Sequence, residues 1–508
     1  MGKKESAEFQ KTFITLAGVV DRMKPARLYL RRAGMGYVDG ESRDQAILFP
    51  AVMDDYVAEN SLVRFIEAFV KSLDLEKLGF DKSVPAMTGR PAYDPGDLLG
   101  LYLYGYVNGI RSSRKLAREA GRNLELIWLL RRLSPDFRTI SDFRKNNLEP
   151  IKKVFREFLD FCKELKLFGG KLIGIDGSKF KASNGKKNNY TEGRLKELIP
   201  EIEKRIEKYL KRLEESDNEE AGVREPTKEE LKEKIEAMRE RKKKYEEIRE
   251  EMKKANETQK SLVDPESRLM KTNNGGANVC YNVETGVDSE HKLIVAYEVT
   301  NAVNDYGQLC GVGEQAKEVL GVEELEVTAD GGFYDAADIK KCEEAGITVY
   351  VPKPPASKNN GRFTKDDFKY QADRDVYICP AGKELVNKGL MKSKGEKRVF
   401  YYATEACGSC PMLKQCTKGK ARRIKRRPDE DVLERMAKRV KENPEKMKAR
   451  KELVEHPFGT MKMWMGFGHF LLRTKKKVSA EMGLMALAYN LRRVIGIVGV
   501  EKMIEVLG

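Results

Sequence analysis

The sequence predicts an α/β protein with an all-α N-terminal region and two insertions. Apolar residues recur at helical spacing over residues 45–165. From residue 171 the period shortens, and buried-strand patterns alternate with helical ones as far as residue 352. Two stretches of different composition, residues 192–261 and 355–440, interrupt this alternation.

These boundaries divide the chain into six parts. They are an N-terminal extension (1–44), a helical domain (45–168), an α/β domain in three pieces (169–191, 262–354 and 441–495), an antiparallel helical-hairpin insertion (192–261), a basic cysteine-cluster insertion (355–440) and a C-terminal tail (496–508).

The charge of the chain is concentrated in one region. The 508 residues carry a net charge of +16. Residues 392–477 contain 25 Lys and Arg against 10 Asp and Glu, whereas residues 192–260 contain 20 against 21. A local basic excess of this kind is typical of a surface that follows a phosphate backbone.

Several function classes lack their signatures here. The apolar stretch Gly483–Val500 is interrupted by Asn490, Arg492 and Arg493, so we expect no membrane span and a cytoplasmic protein. The sequence has no Gly-x-Ser-x-Gly motif and no phosphate-binding loop, and its three histidines lack metalloprotease spacing. Carboxylate-bound Mg²⁺ is the chemistry that remains.

Three separated carboxylates are the candidates for that chemistry. Asp176 and Asp330 each close a buried-strand pattern, and Glu455 lies on a predicted helix. Two hard cations about 4 Å apart can drive phosphoryl transfer on a nucleic-acid backbone, and they need oxygen ligands from rigid elements. Each acid has a plainer interpretation: a strand-end Asp often caps a turn, and a helical Glu often belongs to a solvated ion pair.

The helical N-terminal region is rich in arginine, including Arg144. Its short helices fit either a helix-turn-helix-like DNA-binding module or a scaffold with a solvated basic face. In residues 192–260, two apolar helical stripes separated by a polar break predict a helical hairpin. Its balanced charge favours a structural or protein-contact role.

The second insertion contains Cys379, Cys407, Cys410 and Cys416. Four thiolates with a Cys-x₂-Cys pair are enough to close a tetrahedral Zn²⁺ site. A 4Fe–4S cluster is the alternative metal centre, and plain packing is the alternative without metal. We expect a structural role, bracing a basic loop of little apolar content.

Basic residues near these motifs are candidates for DNA contact, with a solvated charged face as the alternative. They are Arg422, Arg423, Lys425, Arg426, Arg427, Lys451 and Lys462. For Trp464 and Phe467, core packing is the favoured interpretation over base stacking. For His456, a structural role and a contact with DNA or the site are both open.

Four motifs resemble bacterial insertion-sequence transposases of the DDE class. They are Ile175–Lys179 (IDGSK), Ala329–Tyr334 (ADGGFY), Val454–Gly459 (VEHPFG) and Leu487–Arg492 (LAYNLR). The block from Leu48 to Phe80 is similar to the N-terminal helical domain of that family.

The resemblance implies an RNase H-like catalytic domain with Asp176, Asp330 and Glu455 as the metal-binding triad. It further implies two Mg²⁺ ions, replaceable by Mn²⁺, and strand cleavage and transfer at the terminal inverted repeats of a mobile element. The partners would be double-stranded terminal and target DNA, bound by a homodimer or larger assembly at the nucleoid.

The sequence departs from the family where relatives extend the glutamate motif into a Tyr, Arg, Glu, Lys signature. Spacing places Lys448 and Lys451 where Tyr and Arg would stand, with Arg450 next to them and Lys462 as the final Lys. Two other functions stay open: a catalytically silent DNA-binding protein derived from a transposase, and an RNase H-like nuclease without strand transfer.

Overall fold

The structure is a computed structural model that describes residues 52–85, 88, 91–215, 227–272, 276–355, 361–393, 396–402 and 404–508. The chain divides into two units, Met1–Val52 and Met53–Gly508. The first unit, apart from Val52, lies outside the described residues. The predicted N-terminal extension (1–44) and the start of the motif block at Leu48 therefore fall outside the described part of the chain.

Helices dominate both ends of the second unit. Within the described residues the α-helices are α1 (Leu62–Ser72), α2 (Leu75–Leu78), α3 (Pro95–Val107), α4 (Ser113–Ala120), α5 (Leu124–Leu129), α6 (Phe137–Asn146), α7 (Leu148–Glu164), α8 (Glu192–Glu215), α9 (Lys228–Lys254), α10 (Leu309–Leu320), α11 (Ala336–Glu344), α12 (Thr404–Gly408), α13 (Leu413–Cys416), α14 (Glu430–Glu442), α15 (Pro444–Gly459), α16 (Lys475–Val498) and α17 (Val500–Leu507).

The strands lie between residues 172 and 426. They are β1 (Leu172–Lys181), β2 (Asn189–Thr191), β3 (Gln259–Ser261), β4 (Arg268–Lys271), β5 (Ala277–Asp288), β6 (Ile294–Thr300), β7 (Leu325–Thr328), β8 (Ile347–Tyr350), β9 (Lys369–Gln371), β10 (Val376–Ile378), β11 (Glu384–Ser393), β12 (Glu396–Tyr402) and β13 (Arg423–Arg426).

The larger sheet has β1 at its centre. Its strand order is β4-β5-β1-β7-β8, and β6 pairs with β5 as well. Strand β1 is antiparallel to β5 and parallel to β7, which in turn is parallel to β8. Along the chain, β1, β5 and β6 are followed by α10, β7, α11 and β8, as the predicted alternation of strands and helices requires, while β4 was not predicted.

Glycines allow helices to approach both faces of this sheet closely. On one face, a Cβ built at Gly286 of β5 would lie 3.3 Å from Val312 of α10. On the other face, a Cβ built at Gly174 of β1 would lie 2.8 Å from Val454 of α15. The helix that carries Glu455 is therefore seated directly on β1, two residues before Asp176.

The helices α1 and α7 share an aromatic core. Phe65, Phe69, Phe158 and Phe161 are buried, and their ring centroids lie 5.5–6.5 Å apart in stacked, tilted and edge-on pairs. Such contacts add to the free energy gained from burying apolar surface.

The hairpin helices α8 and α9 pack against each other through a separate apolar cluster. It includes Leu195, Ile199, Tyr245, Ile248 and Met252. Strands β2 and β3 pair antiparallel beside it. The two predicted helical stripes thus form two helices, and the predicted polar break that starts at Ser216 lies outside the described residues.

A second sheet occupies the region predicted to be a basic loop. Its order is β13-β12-β11-β10-β9, with every neighbouring pair antiparallel. Its apolar cluster consists of Phe368, Tyr377, Leu385, Tyr401 and Ile424. The expectation of a loop with little apolar content was wrong, because this sheet has a small core of its own.

No single helix in the described part of the chain is long and apolar enough to cross a membrane. The bent pair α16 and α17 passes that test by length and composition together, with an angle of 103° between its members. Most of α16 is buried within the protein.

The close approach at Gly174 gives a stability prediction. We expect Gly174→Ala to lower the free energy of unfolding by about 1–3 kcal/mol, because the added methyl overpacks the contact with Val454 and Leu453. Gly311→Ala on α10 is the matched control, since a Cβ there meets no atom of the described residues within 4 Å, and we expect it to be neutral or stabilising. Urea or thermal unfolding of both variants measures this, and equal behaviour of the two would contradict the expected overpacking.

Candidate active site

Two predicted acids meet where β7 ends beside β1. Strand β1 pairs with β7 only from Leu172 to Gly174, and then continues along β5 as far as Lys181. Asp176 therefore lies within β1, not at its end as predicted, just beyond the last residue that pairs with β7. Asp330 follows the end of β7 by two residues and accepts the backbone N–H of Gly332 at 2.7 Å.

The neighbouring acids raise the pKa of Asp176. Burial, together with the negative charges of Asp330 and Asp305, raises the pKa of Asp176 to about 6, while the Arg450 guanidinium opposes the shift. Like charges held near each other in a partly desolvated site favour the protonated form. The structure thus brings Asp176 and Asp330 together, and it adds Asp305, which the sequence analysis missed.

Asp305 lies on the connection between β6 and α10. Its Oδ1 accepts the Lys179 ammonium at 2.8 Å and the Asn282 side-chain amide at 2.7 Å. Lys179 and Asn282 are partners in the β1–β5 register, so two side chains from neighbouring positions on adjacent strands hold this carboxylate. The sequence offered no periodic or motif signal for Asp305.

Glu284 is a fully buried acid in the same network. It pairs with Gly177 across β1 and β5 and is 0% exposed. Burial and the neighbouring Asp305 charge raise its pKa to about 9. The Glu284 carboxyl is therefore protonated at neutral pH and adds no charge to the site.

Two cations reach the Asp176 region from the chain that follows α14. Arg450 lies on α15 and favours the ionised form of Asp176. Lys462 donates to Ser178 Oγ at 2.5 Å and to the Lys179 carbonyl at 3.0 Å, and burial lowers the pKa of its ammonium to about 8. Of the two neighbours considered for the signature Arg, Arg450 is the one that acts on Asp176, whereas Lys451 is exposed.

Glu455 follows Val454, which packs on Gly174. Its side chain is exposed, and no described contact joins it to Asp176 or Asp330. Its assignment as the third ligand stays a prediction. Pro457 does not break the helix: α15 continues to Gly459 and passes into a π-helical turn, Thr460–Trp464.

The donor chemistry of the site fits a hard divalent cation. Carboxylate oxygens are the ligands that Mg²⁺ takes in proteins, and a cation would relieve the mutual repulsion of Asp176, Asp305 and Asp330. Among the residues that the structure describes, however, no group of three or more His, Cys, Asp or Glu side chains is arranged to hold a metal ion. The site therefore has suitable ligands that are not yet in a closed coordination geometry.

His456 has a structural role. Its Nδ1 lies 2.9 Å from the Tyr489 hydroxyl, and its Nε2 lies 3.3 Å from Arg493 Nη1. The Tyr489 hydroxyl in turn donates to the Lys292 carbonyl at 2.8 Å. This assigns the Nδ1–H tautomer and joins α15 to α16, so both ring nitrogens are engaged within the protein.

The four cysteines of the second insertion line one cavity. Cys379, Cys407, Cys410 and Cys416 surround about 30 Å³ together with apolar side chains such as Leu413. Burial raises the pKa of the Cys416 thiol, and the other three cysteines contribute to the shift. The thiols are gathered, but within the described residues they do not form a ligand set, and a bound Zn²⁺ or 4Fe–4S cluster stays a prediction.

The predicted basic run alternates between two environments. On β13, Arg423 and Lys425 are exposed, while Ile424 and Arg426 are buried. Arg426 donates to Glu434 at 2.5 Å and lies 3.8 Å above the Tyr370 ring. The structure therefore contradicts the predicted DNA contact by Arg426, whose guanidinium is enclosed by its partners.

The same correction applies to Arg144. It is 6% exposed and donates to the Tyr106 hydroxyl at 3.3 Å. Buried Glu481 and Arg111 belong to the same network, with Arg111 Nη1 3.7 Å from Glu481 Oε1. Arg144 thus stabilises the packing of the N-terminal helices on α16 instead of facing DNA.

Core packing was the right expectation for Phe467 and the wrong one for Trp464. Phe467 is fully buried, whereas Trp464 is 84% exposed and its neighbour Met463 is 82% exposed. Both side chains leave the π-helical turn directly after Lys462. The exposure of this apolar pair is a feature that apolar content alone did not reveal.

Comparisons with known proteins agree with the motifs. Residues 378–495 match a family model described as a transposase DDE domain, and residues 51–146 match a transposase domain model, DUF772. The first match includes Glu455 and the four clustered cysteines but neither aspartate. The two matches confirm the resemblance to insertion-sequence transposases of the DDE class.

A solved structure offers a weaker likeness. The chain is similar to piggyBac transposase in a cryo-EM synaptic complex with hairpin DNA, at 11% identity over 87% of this chain and 76% of that chain. The TM-score is 0.30, too low for the likeness to carry an argument. No curated protein matches the sequence.

The raised pKa of Asp176 gives a prediction about stability. Its value of about 6 exceeds the unfolded value of 3.8, so the folded state binds the proton more tightly. Stability therefore falls as the pH rises from about 4 to about 6. In EDTA at about pH 8, we expect Asp176→Asn to stabilise the protein by up to about 3 kcal/mol, and we expect the difference to vanish near about pH 4.

Melting temperatures of both proteins across this pH range measure the effect. If Asp176→Asn melted below the parent protein at the alkaline end, the attraction of the Arg450 guanidinium would outweigh burial and repulsion, contrary to the prediction.

Proposed function

We propose that this protein is a DNA transposase that cleaves the strands of its element at terminal inverted repeats and joins them to target DNA in a metal-dependent reaction. The observation that carries the proposal is the meeting of Asp176 and Asp330 at the end of β7, within the motifs shared with DDE transposases. The family matches support transposase function. The strand order and directions of the larger sheet support the RNase H-like assignment made from the motifs.

The catalytic roles follow from the position of each side chain. Asp176 and Asp330 would hold Mg²⁺, or Mn²⁺ in its place, with Glu455 as the predicted third ligand. Bound divalent ions would activate the attacking oxygen and stabilise the leaving one. Lys462, fixed against Ser178, places an ammonium beside Asp176, where a phosphate of the bound strand would be neutralised.

The proposed DNA surface combines exposed cations with an exposed aromatic. Arg423 and Lys425 point outward from β13, and Arg422 and Arg427 flank them. Trp464 and Met463 are candidates for contact with bases near the cleaved bond, because exposed apolar side chains can stack on bases or wedge between them. Pairing of two DNA ends would require a dimer or larger assembly, for which the α8–α9 hairpin is a candidate contact.

Cleavage of end-containing DNA tests the proposal. With Mg²⁺ and DNA carrying the inverted repeats that flank the gene, we expect nicking by the parent protein. Asp330→Asn should reduce it at least about 100-fold, because the cations supply several kcal/mol of transition-state stabilisation. Equal nicking by the variant would reject the assigned site. Gel-shift assays provide the control, since Asp330→Asn should still bind the DNA.

The products separate the proposal from its alternatives. Joining of element ends to new DNA requires transfer of a 3′-hydroxyl, whereas a nuclease leaves only hydrolysed ends. A protein that binds the ends and never nicks them would be the silent derivative.

The alternation on β13 gives a matched test of DNA binding. The double variant Arg423→Gln, Lys425→Gln should weaken binding and reduce the dependence of log K on log salt by about 2, one for each phosphate that is no longer neutralised. Arg426→Gln should instead destabilise the fold by about 1–3 kcal/mol, because it removes a buried guanidinium that lies on the Tyr370 ring and bonds to the Tyr377 hydroxyl. An unchanged salt dependence in the double variant would remove β13 from the DNA surface.

A further inference from the structure

The π-helical turn that carries Lys462 continues into residues 466–472, which we call the connecting segment. This segment is bound to β1 by two backbone hydrogen bonds. The N–H of Lys181 donates to the Gly468 carbonyl at 3.3 Å, and the N–H of Phe470 donates to the Lys181 carbonyl at 2.8 Å. The middle of the connecting segment is therefore fixed to the last residue of β1.

Arg111 of the helical domain holds the earlier part of this segment. Its Nη1 donates to the His469 carbonyl at 2.6 Å and its Nη2 donates to the Gly466 carbonyl at 3.1 Å. The guanidinium also lies 5.2 Å above the Phe467 ring. The Arg111 side chain is 7% exposed, and hydrogen bonds are stronger in such a buried place than in water. One planar guanidinium thus holds two backbone carbonyls of the connecting segment.

Neutralisation of the buried Glu481 does not account for these contacts. The Arg111 guanidinium approaches that carboxylate to 3.7 Å, which is longer than a hydrogen bond. The two Glu481 oxygens instead accept the N–H groups of Leu471 and Leu472 at 2.9–3.0 Å. Arg111 and Glu481 therefore both bind the backbone of the connecting segment, Arg111 towards its beginning and Glu481 at its end.

The beginning of the connecting segment is joined to Lys462 through the turn. The N–H of Phe467 donates to the Met461 carbonyl at 2.8 Å, and the N–H of Met465 donates to the Thr460 carbonyl at 3.0 Å. Lys462 lies within the stretch that these two bonds close, and its ammonium donates to two oxygens of β1. A displacement of Phe467 would therefore move the Lys462 side chain relative to β1.

We propose that Arg111 is a positioning residue for the Lys462 ammonium. By holding Gly466 and His469, it keeps the π-helical turn in the position from which Lys462 reaches β1 beside Asp176. The inference rests on the proposed function, in which this ammonium neutralises a phosphate of the bound strand. It deepens that function, because Arg111 lies just before α4 and so joins the helical domain to the active site.

Nicking rates at saturating DNA in a double-mutant cycle test the assignment. Arg111→Lys keeps the positive charge but loses the fork of donors that binds two carbonyls. We expect it to slow nicking at least about tenfold, because a small misplacement of a positioned group is costly. In a Lys462→Met background we expect less than about a twofold further effect, since Arg111 acts through Lys462. An equal loss in both backgrounds, or parent-like nicking by Arg111→Lys, would overturn the proposal and leave the proposed function intact.

Arg194 supplies the matched control. Its guanidinium also donates to two backbone carbonyls, those of Lys186 and Asn189, at 2.7 and 2.8 Å, and it lies 5.4 Å above the Tyr190 ring. These contacts are at the base of the α8–α9 hairpin, so we expect Arg194→Lys to nick DNA like the parent protein. Equal slowing by the two Arg→Lys variants would count against a specific role of Arg111.

A measurement without DNA separates this inference from the proposed function. The chain has two tryptophans, so in a Trp128→Phe background Trp464 alone reports on the π-helical turn. We expect Arg111→Lys to increase the share of fast depolarisation in the time-resolved fluorescence anisotropy of Trp464, because the loosened turn moves on the nanosecond scale. Arg194→Lys should leave it unchanged. An unchanged anisotropy in Arg111→Lys would overturn the proposal, whether or not the protein nicks DNA.

The remaining outcomes are also decisive. If the parent protein did not nick DNA but the anisotropy changed as expected, the proposed function would fail and the effect of Arg111 on the turn would stand. If Arg111→Lys did not fold, Arg111→Gln, whose amide can still donate to one carbonyl, takes its place. Failure of both variants to fold, with Arg194→Lys folded, would give Arg111 a structural role only and overturn the proposal.

Discussion

The site depends on the unequal pairing of β1 with its two neighbours. Strand β5 accompanies β1 from Ile173 to Lys181, but β7 leaves it after Gly174. From Ile175 to Phe180, within the described residues, no strand pairs with that edge of β1, and pairing resumes at the bridge between Lys181 and His469. Asp176 and Asp330 meet at this edge, and side chains from both faces of the sheet can reach it.

The residues of the site lie on two opposite faces of the sheet, because successive side chains of a strand such as β1 point in opposite directions. Gly174, Asp176 and Ser178 face α15 and the π-helical turn, which supply Arg450 and Lys462. Gly177 and Lys179 face the other side, with Asn282, Glu284 and Asp305. A cation at the unpaired edge would be contacted by carboxylates from both faces. The Lys462 ammonium and the Arg450 guanidinium lie on one face and the Lys179 ammonium on the other.

The electrostatics of the site are unfavourable in the absence of a cation. Burial and like charges raise the pKa of Asp176 and of Glu284, and Lys179 and Arg450 offset only part of that repulsion. Such perturbed carboxyl groups are common where a protein binds ions or performs catalysis.

Sequence patterns predicted the parts of this site that depend on local structure. The strands before Asp176 and Asp330 were predictable because each is a short apolar run followed by glycine, and the helix of Glu455 was predictable from its composition. Asp305 was not, since its position depends on contacts with Lys179, 126 positions away in the chain, and with Asn282, 23 positions away.

Which residues of a basic run are buried could not be predicted from the sequence, for a related reason. Arg422–Arg427 reads as one uniform cationic patch, yet the period of a strand turns Arg426 inward and Arg423 outward. Three of the five strands of the second sheet, β9, β10 and β13, are only three or four residues long, so their apolar positions gave too weak a signal to reveal the sheet. Where a cationic side chain meets an aromatic core and an acid, as Arg426 meets Tyr370 and Glu434, tertiary packing decides its role, and charge alone does not.

Pro457 shows how a locally unfavourable residue can serve the geometry of a site. Proline lacks the N–H that would bond to the carbonyl of Leu453, yet α15 continues past it. The helix then widens: the N–H of Met465 bonds to the carbonyl of Thr460, five residues earlier, at 3.0 Å. π-helical turns are found frequently at functional sites. Here the turn carries Lys462 back onto β1 at Ser178 and leaves Met463 and Trp464 exposed, so the same widening that fixes the ammonium beside Asp176 also keeps the aromatic side chain on the surface.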